Sequence, residues 1–290
     1  MPGVLLIGNA AAGSLDPEPL AAVAAVLRPL GDVQTVTTAS SDELGAVLAG
    51  LDGRTLVVAG GDGSIHAAVQ VLHDRGAATT TAVGLVPLGT GNDLARGLGI
   101  PLDPVAAAQA VVAGGPRRLD LLITDRGQVV VNVSHAGLGA AAAGHAEAWK
   151  DRIGPLAYPV GALISGVAEA GTTLAVTLDE VEVHRGPTLM VGVANAPSIG
   201  GGTQLVPNAL PDDGLLDVLV VTAVSAATRV GFADALRHGR HLDRDDVLHL
   251  RGRCVVIAGD PVAHDLDGEV LADQTSVTYT VVPGGWTVIG

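Results

Sequence analysis

A strand, a glycine turn and a helix follow one another without a gap at Leu56–Leu72, reading LVVAG-GDGS-IHAAVQVL, and this stretch limits the fold more than any other. Leu56–Ala59 is apolar and β-branched, as a strand buried on both faces must be. Gly60, Gly61 and Gly63 let the main chain approach a ligand closely. From Ser64, the expected cap, the apolar positions Ile65, Ala68, Val69 and Leu72 recur at helical spacing. A glycine turn feeding a helix N-terminus offers N–H groups and a positive dipole end to phosphate. Asp62 would repel that phosphate unless a cation stood between them, which points to Mg²⁺. No Lys-Ser/Thr follows the glycines, so this is no P-loop, and His66 replaces the third glycine of a dinucleotide fingerprint. Taken alone, the stretch also fits a tight turn with an aspartate cap.

A second loop repeats the pattern. Val83–Pro87 is a short apolar segment followed by Leu88-Gly89-Thr90-Gly91-Asn92-Asp93 and a further helix. Two such loops at the ends of neighbouring parallel strands face one crevice, where open α/β sheets bind ligands. Together, Gly60-Gly61-Asp62-Gly63-Ser64 and Pro87–Asp93 resemble the catalytic domain of the diacylglycerol kinase family, which includes bacterial soluble lipid kinases and sphingosine kinases. That family carries GGDGT followed by Asn-Glu, then PxGTxND. Here His66 and Ala67 stand in place of Asn-Glu.

With 290 residues the chain can bury a sizeable core in two domains. Hydrophobic residues make up 48% but aromatics only 2%, so the core must be built from Ala, Val, Leu and Ile. A net charge of −14 disfavours nucleic acid and a polybasic membrane anchor. A lipid would then be met through an apolar surface, in transient peripheral contact with the membrane, or delivered in a soluble carrier. The one cysteine, Cys254, precludes an intrachain disulfide and reads as a core thiol. No charge-free apolar segment reaches spanning length, and the nearest to it, Ile153–Ala168, is broken by glycine and proline. With no signal-peptide pattern at the N-terminus, the expectation is a cytoplasmic protein.

In chain order, Val4–Gly8 reads as a strand ending in Asn9, Pro19–Leu30 as a helix, Val33–Thr37 as a strand and Ser41–Ala49 as a helix. Alternation through about Pro101 predicts a parallel sheet with helices on its faces. Pro104–Ala113 is a further helix. Beyond the turn at Asp125-Arg126-Gly127 the texture becomes β-rich, with helices expected near Gly154–Ala170 and Ala226–His238. The reading is an α/β protein: a parallel-sheet nucleotide-binding domain over residues 1–126, then a β-rich lipid-binding domain over 127–290 whose last segment returns to the first.

The second half extends the resemblance through Asn132–Gly139, Gly154–Tyr158, Ala194–Gly202, Pro207–Asp217 and Asp267-Gly268-Glu269. The resemblance implies an ATP-dependent lipid kinase acting on a hydroxyl of diacylglycerol or a related alcohol, and a homodimer. It places ATP over Gly60, Gly61, Asp62, Gly63, Ser64, Gly89, Thr90, Gly91 and Asn92, with Asn9 and Thr37 nearer the ribose or base. It puts a structural Mg²⁺ on the Asp213 carboxylate and the carbonyls of Leu210 and Leu215. Glu269 matches the family's base, Asp62 would hold catalytic Mg²⁺ through water, and Asp93 would orient the head group or support the metal. Two rival readings are a NAD kinase, which shares the glycine turn and architecture, and a non-catalytic nucleotide- or lipid-binding relative. Survival of Asp62, Asp93 and Glu269 weighs against the latter.

Overall fold

The computed structural model describes residues 3–9, 17–137 and 171–290. They form two compact units, one from the described residues up to Asp120 with Gly284–Gly290, the other from those between Leu121 and Pro283. The expected helix near Gly154–Ala170, the Gly154–Tyr158 motif and the loop after Asn9 lie outside the described residues.

The first unit alternates β1 (Val4–Asn9), α1 (Pro17–Leu27), β2 (Val33–Thr38), α2 (Ser41–Ala49), β3 (Thr55–Gly60), α3 (Asp62–Asp74), β4 (Ala82–Pro87), α4 (Asp93–Leu98) and α5 (Pro104–Ala113). The sheet runs β2-β1-β3-β4 with every pair parallel, and Thr287–Ile289 at the chain's end pair with Ala82–Gly84. Helix α1 packs on α5 and α2 on α3, so both sheet faces are covered. That explains why β3 beyond Thr55 and β4 are continuously apolar rather than alternating. The connections from β1 to β2 and from β2 to β3 run in opposite directions across the sheet. The carboxyl ends of β1 and β3 therefore flank the topological switch point.

Local chemistry sets the helix starts. Ser40 Oγ accepts from Glu43 N at 3.2 Å to open α2, and Asp103 Oδ1 accepts from Ala106 N at 2.8 Å ahead of Pro104. Helix α3 differs from expectation. It begins at Asp62 with Gly61 in the cap position, so Ser64 sits inside the first turn rather than capping it. Ser64 leans back on the strand end: a Cβ on Gly60 would lie 2.5 Å from Ser64 Oγ.

The second unit is antiparallel. Strand β5 (Pro116–Thr124) enters it and pairs with β6 (Val129–Val130); β7 (Val133–Gly137), β8 (Thr172–Leu178), β9 (Val181–Thr188) and β10 (Met190–Ala194) follow. Next come β11 (Ser198–Ile199), β12 (Thr203–Gln204), β13 (Leu216–Val221), α6 (Ala226–Arg237), β14 (Val247–Gly252), β15 (Cys254–Leu266) and β16 (Glu269–Ile289). The ladder runs β14-β13-β10-β7-β15-β16, with β8 and then β9 added beside β15. Side chains alternate between its faces. Val191, Val193, Val218, Val220, Leu266 and Tyr279 enter one apolar cluster. Met190, Ala194, Leu219 and Val221 enter another, with Phe232 and Leu236 of α6. Strand β16 leaves the unit at Pro283, where Gly284 N donates to Asp120 Oδ1 at 2.8 Å.

Candidate functional site

The two glycine loops of the first unit touch through bare backbone. A Cβ on Gly89 would stand 2.5 Å from Gly61 Cα, and one on Gly61 would stand 3.1 Å from Gly89 Cα. Gly89 is therefore required by the approach of one loop to the other, and Gly61 has little room for a side chain. Leu88 N donates to Gly60 O at 3.0 Å, which carries the β3–β4 ladder into the loops. Asn92 holds the second loop from within. Its Oδ1 accepts from Gly89 N at 3.0 Å, and its Nδ2 donates to Gly89 O at 2.7 Å. Asn92 is buried and left-handed (φ 51°), a conformation asparagine tolerates better than most residues. Gly63, by contrast, is exposed, and a Cβ placed on it would have nothing within 4 Å.

Asp62 crosses between the loops. Its Oδ2 accepts from Asp93 N and its Oδ1 from Leu94 N, each at 3.1 Å. The carboxylate thus caps the start of α4 from another element, where the helix dipole favours negative charge. This gives the anion in the glycine turn a partner other than a metal. It also occupies the first amides of α4. Asp93 is buried, and Arg96 Nε donates to Gly91 O at 3.1 Å behind it. His66 is buried on α3. Asn9 ends β1 opposite Thr38, while Thr37 pairs with Gly8. Thr37 is exposed and Thr38 buried, so Thr38 is the threonine at the sheet's edge that contributes to packing.

Glu269 opens β16 in the second unit. It is exposed and lies across the hairpin from buried Leu266. Between them Asp267 and Gly268 both take positive φ, 54° and 100°, the signature of a two-residue type I′ turn. Elsewhere in this unit, Asp213 Oδ1 accepts from Leu215 N at 3.1 Å and its Oδ2 takes the Arg251 guanidinium. Arg251 Nε also lies 3.4 Å from Asp217 Oδ1, which His249 Nε2 meets at 2.7 Å. A guanidinium already neutralises the carboxylate that a metal at Leu210, Asp213 and Leu215 would need. No group of three or more acidic, histidine or cysteine side chains suited to a metal occurs among the described residues.

Residues 3–123 match the diacylglycerol kinase catalytic domain, and residues 132–290 match the YegS C-terminal NAD kinase beta sandwich-like domain. A "Probable lipid kinase YegS-like" of Xanthomonas campestris is 33% identical over 276 residues, covering 88% of this chain and 86% of the relative. The chain belongs to the YegS-like lipid kinase family. A second relative of that name, from Pseudomonas syringae, is 36% identical over 174 residues, 59% of this chain and 54% of its own. In fold, this family member is similar to "a putative diacylglycerol kinase" from Bacillus anthracis (TM-score 0.81, 23% identity, 99% of this chain and 97% of that one). It also shares its fold with an NAD kinase from Archaeoglobus fulgidus solved with ATP (TM-score 0.57, 12% identity, 99% and 93% covered). Membership of a kinase family implies ATP as phosphoryl donor. No helix among the described residues is long and apolar enough to cross a membrane.

Two features of this lipid kinase family member escape the sequence. One is a buried chain in which the Tyr279 hydroxyl hydrogen-bonds to both Ser134 Oγ and His264 Nδ1 at 2.8 Å. Burial raises the Tyr279 phenol above its ordinary range. Burial, and then the charges of His135 and Arg126, lowers His264 to about 4. Nothing in the spacing of residues 134, 264 and 279 announces that they meet. The other is the run of amides at Val131, Asn132 and Val133 that receives the Asp267 carboxylate.

Proposed function

We propose that this chain transfers the γ-phosphoryl group of MgATP to the hydroxyl of a lipid alcohol, diacylglycerol or a close relative. The observation that carries the reading is the pair of glycine loops, closed on one another and latched by Asp62, in a chain of a lipid kinase family. Phosphate lies over the backbone at Gly60–Ser64 and Gly89–Asn92, with Asn9 and the end of β2 towards the nucleoside. Positive charge is scarce, with one lysine in the chain, so backbone amides and the Mg²⁺ that travels with ATP neutralise the phosphates. Asp62 and Asn92 keep the loops in register, and buried Asp93 supports them. At the acceptor, Glu269 takes the hydroxyl proton as the new O–P bond forms and the β–γ bridging oxygen leaves with ADP. The lipid is drawn from a membrane surface in transient contact, by apolar rather than cationic attraction.

Transfer of label from γ-³²P-ATP to diacylglycerol, other lipid alcohols and NAD tests the reading. Label is expected in the lipid extract alone. Label in NAD would favour the NAD kinase reading, and none in any acceptor a binding protein. Glu269→Gln is expected to lower kcat by ~10²-fold, as loss of a general base does, with KM for ATP unchanged. A near-normal kcat on the true acceptor would remove Glu269 from that role.

A further inference from the structure

We infer that Asp267 is the positioning residue of the acid hairpin: its carboxylate, received by backbone amides at the head of β7, fixes the turn from which Glu269 projects. This role rests on the reading of Glu269 as general base. Asp267 Oδ2 accepts from Val131 N at 2.7 Å, and its Oδ1 accepts from Asn132 N at 3.0 Å and Val133 N at 2.9 Å. Its own N–H donates to Val133 O at 3.2 Å. The receiving segment is dry, with Val131 1%, Asn132 6% and Val133 3% exposed. Successive amides that converge on one carboxylate form an anion cradle, and its bonds are charge-assisted. A second carboxylate secures the turn from the other side, where Gly268 N donates to Asp265 Oδ1 at 2.8 Å.

The geometry separates two jobs within three consecutive residues. Asp267 faces inward and commits its charge to amides 134 to 136 positions away in sequence. Gly268 supplies the second positive φ of the turn. Glu269 comes out exposed as the first residue of β16. An exposed glutamate on a loose hairpin would sample many positions, and a displacement of about 1 Å can cost ~10²-fold in rate. Three amide contacts remove the backbone part of that freedom.

The fold contains its own control. Asp179 opens the β8–β9 turn with φ 45°, and its Oδ1 accepts from Arg253 N and Cys254 N, each at 2.9 Å. The device is the same, but it carries no residue of the proposed chemistry. A purely structural role would make the two aspartates equivalent.

The test uses Asp267→Asn, which tolerates the left-handed turn and keeps the size of the side chain but turns an NH₂ against an amide N–H. Kinetics and melting temperature are measured for this variant in the wild-type and Glu269→Gln backgrounds, beside Asp179→Asn. Asp267→Asn is expected to lower kcat ~10-fold with KM for ATP unchanged, and to add no loss to Glu269→Gln, because a residue acting through another is non-additive with it. Both variants are expected to lower the melting temperature by similar amounts, and Asp179→Asn to leave kcat alone. An unchanged kcat in Asp267→Asn, or an equal loss in both backgrounds, overturns the inference. If Glu269→Gln itself has wild-type kcat, the base reading fails; if Glu269→Gln is slow and Asp267→Asn normal, only the positioning role fails. Should Asp267→Asn not fold, Asp267→Gly keeps the positive φ and gives the same readouts.

Discussion

The glycine loops of the first unit and the acid hairpin of the second solve one problem by one means. Each places a carboxylate on consecutive backbone amides of a distant segment: Asp62 on Asp93 and Leu94, Asp267 on Val131, Asn132 and Val133. They differ in what brings the backbones together. In the first unit two glycines permit contact of main chain with main chain, and the aspartate locks a contact that already exists. In the second, the turn arises locally from Asp-Gly at positive φ, and the carboxylate ties it to the next segment. Where sterics make the approach, the glycine is the sensitive residue; where charge makes it, the acid is.

The strongest way to break that distinction is Gly89→Val. Its Cβ would fall 2.5 Å from Gly61 Cα, with backbone on the other side that cannot turn away. Overpacking of this kind is expected to cost about 3 kcal/mol and to abolish ATP binding, read by thermal melting and nucleotide titration. Gly63→Ala in the same loop meets open space and should not lower the melting temperature at all. Equal losses at both positions would refute the claim that loop contact, rather than glycine content, is what matters.

A second separation of the two units comes from pH, with an effect on stability but none on the glycine loops. His264 has a folded pKa of about 4, below the 6.5 of an ordinary histidine. The unfolded chain therefore binds the proton first as pH falls. Stability from this group is complete above pH ~6.5, declines through the interval down to about 4 and changes no further below it. The loss is of order 3 kcal/mol over that interval. Melting temperatures from pH 7 to 4 should fall, and His264→Gln should flatten the slope; an unchanged slope would place the titrating group elsewhere.

Asp62→Ala probes the latch with the smallest expected effect. Removing a carboxylate from the start of α4 should cost ~1–2 kcal/mol, the scale of a lost helix cap. Asp62→Asn retains one acceptor and should recover part of the stability. If Asp62 acts chiefly through the loops, both variants raise KM for ATP without shifting the Mg²⁺ concentration for half-maximal rate. A large shift in Mg²⁺ dependence would instead return Asp62 to a metal-linked role.

The parallel strands, their helices and both glycine loops were legible in the chain because burial on two faces and tight turns leave local patterns. Ser41–Ala49 and Pro104–Ala113 carry their own caps and appear at those bounds. Strands β9 and β14 were not legible. Val181–Thr188 holds Glu182, Arg185 and Gly186-Pro187, since an edge strand with little burial needs no apolar face. Strand β15 continues past Ala258 through Gly259-Asp260-Pro261 with a shift of register, where punctuation residues read as a stop. The sequence alone determined which residues could serve as acids, glycine turns and buried strands, because those are properties of short segments. Only the tertiary structure decided what each acid faces. Asp62 meets amides 31 and 32 residues away, Asp213 meets Arg251, and Asp267 meets the head of β7. A carboxylate's partner is set by the register of strands far apart in the chain, and no local pattern records that.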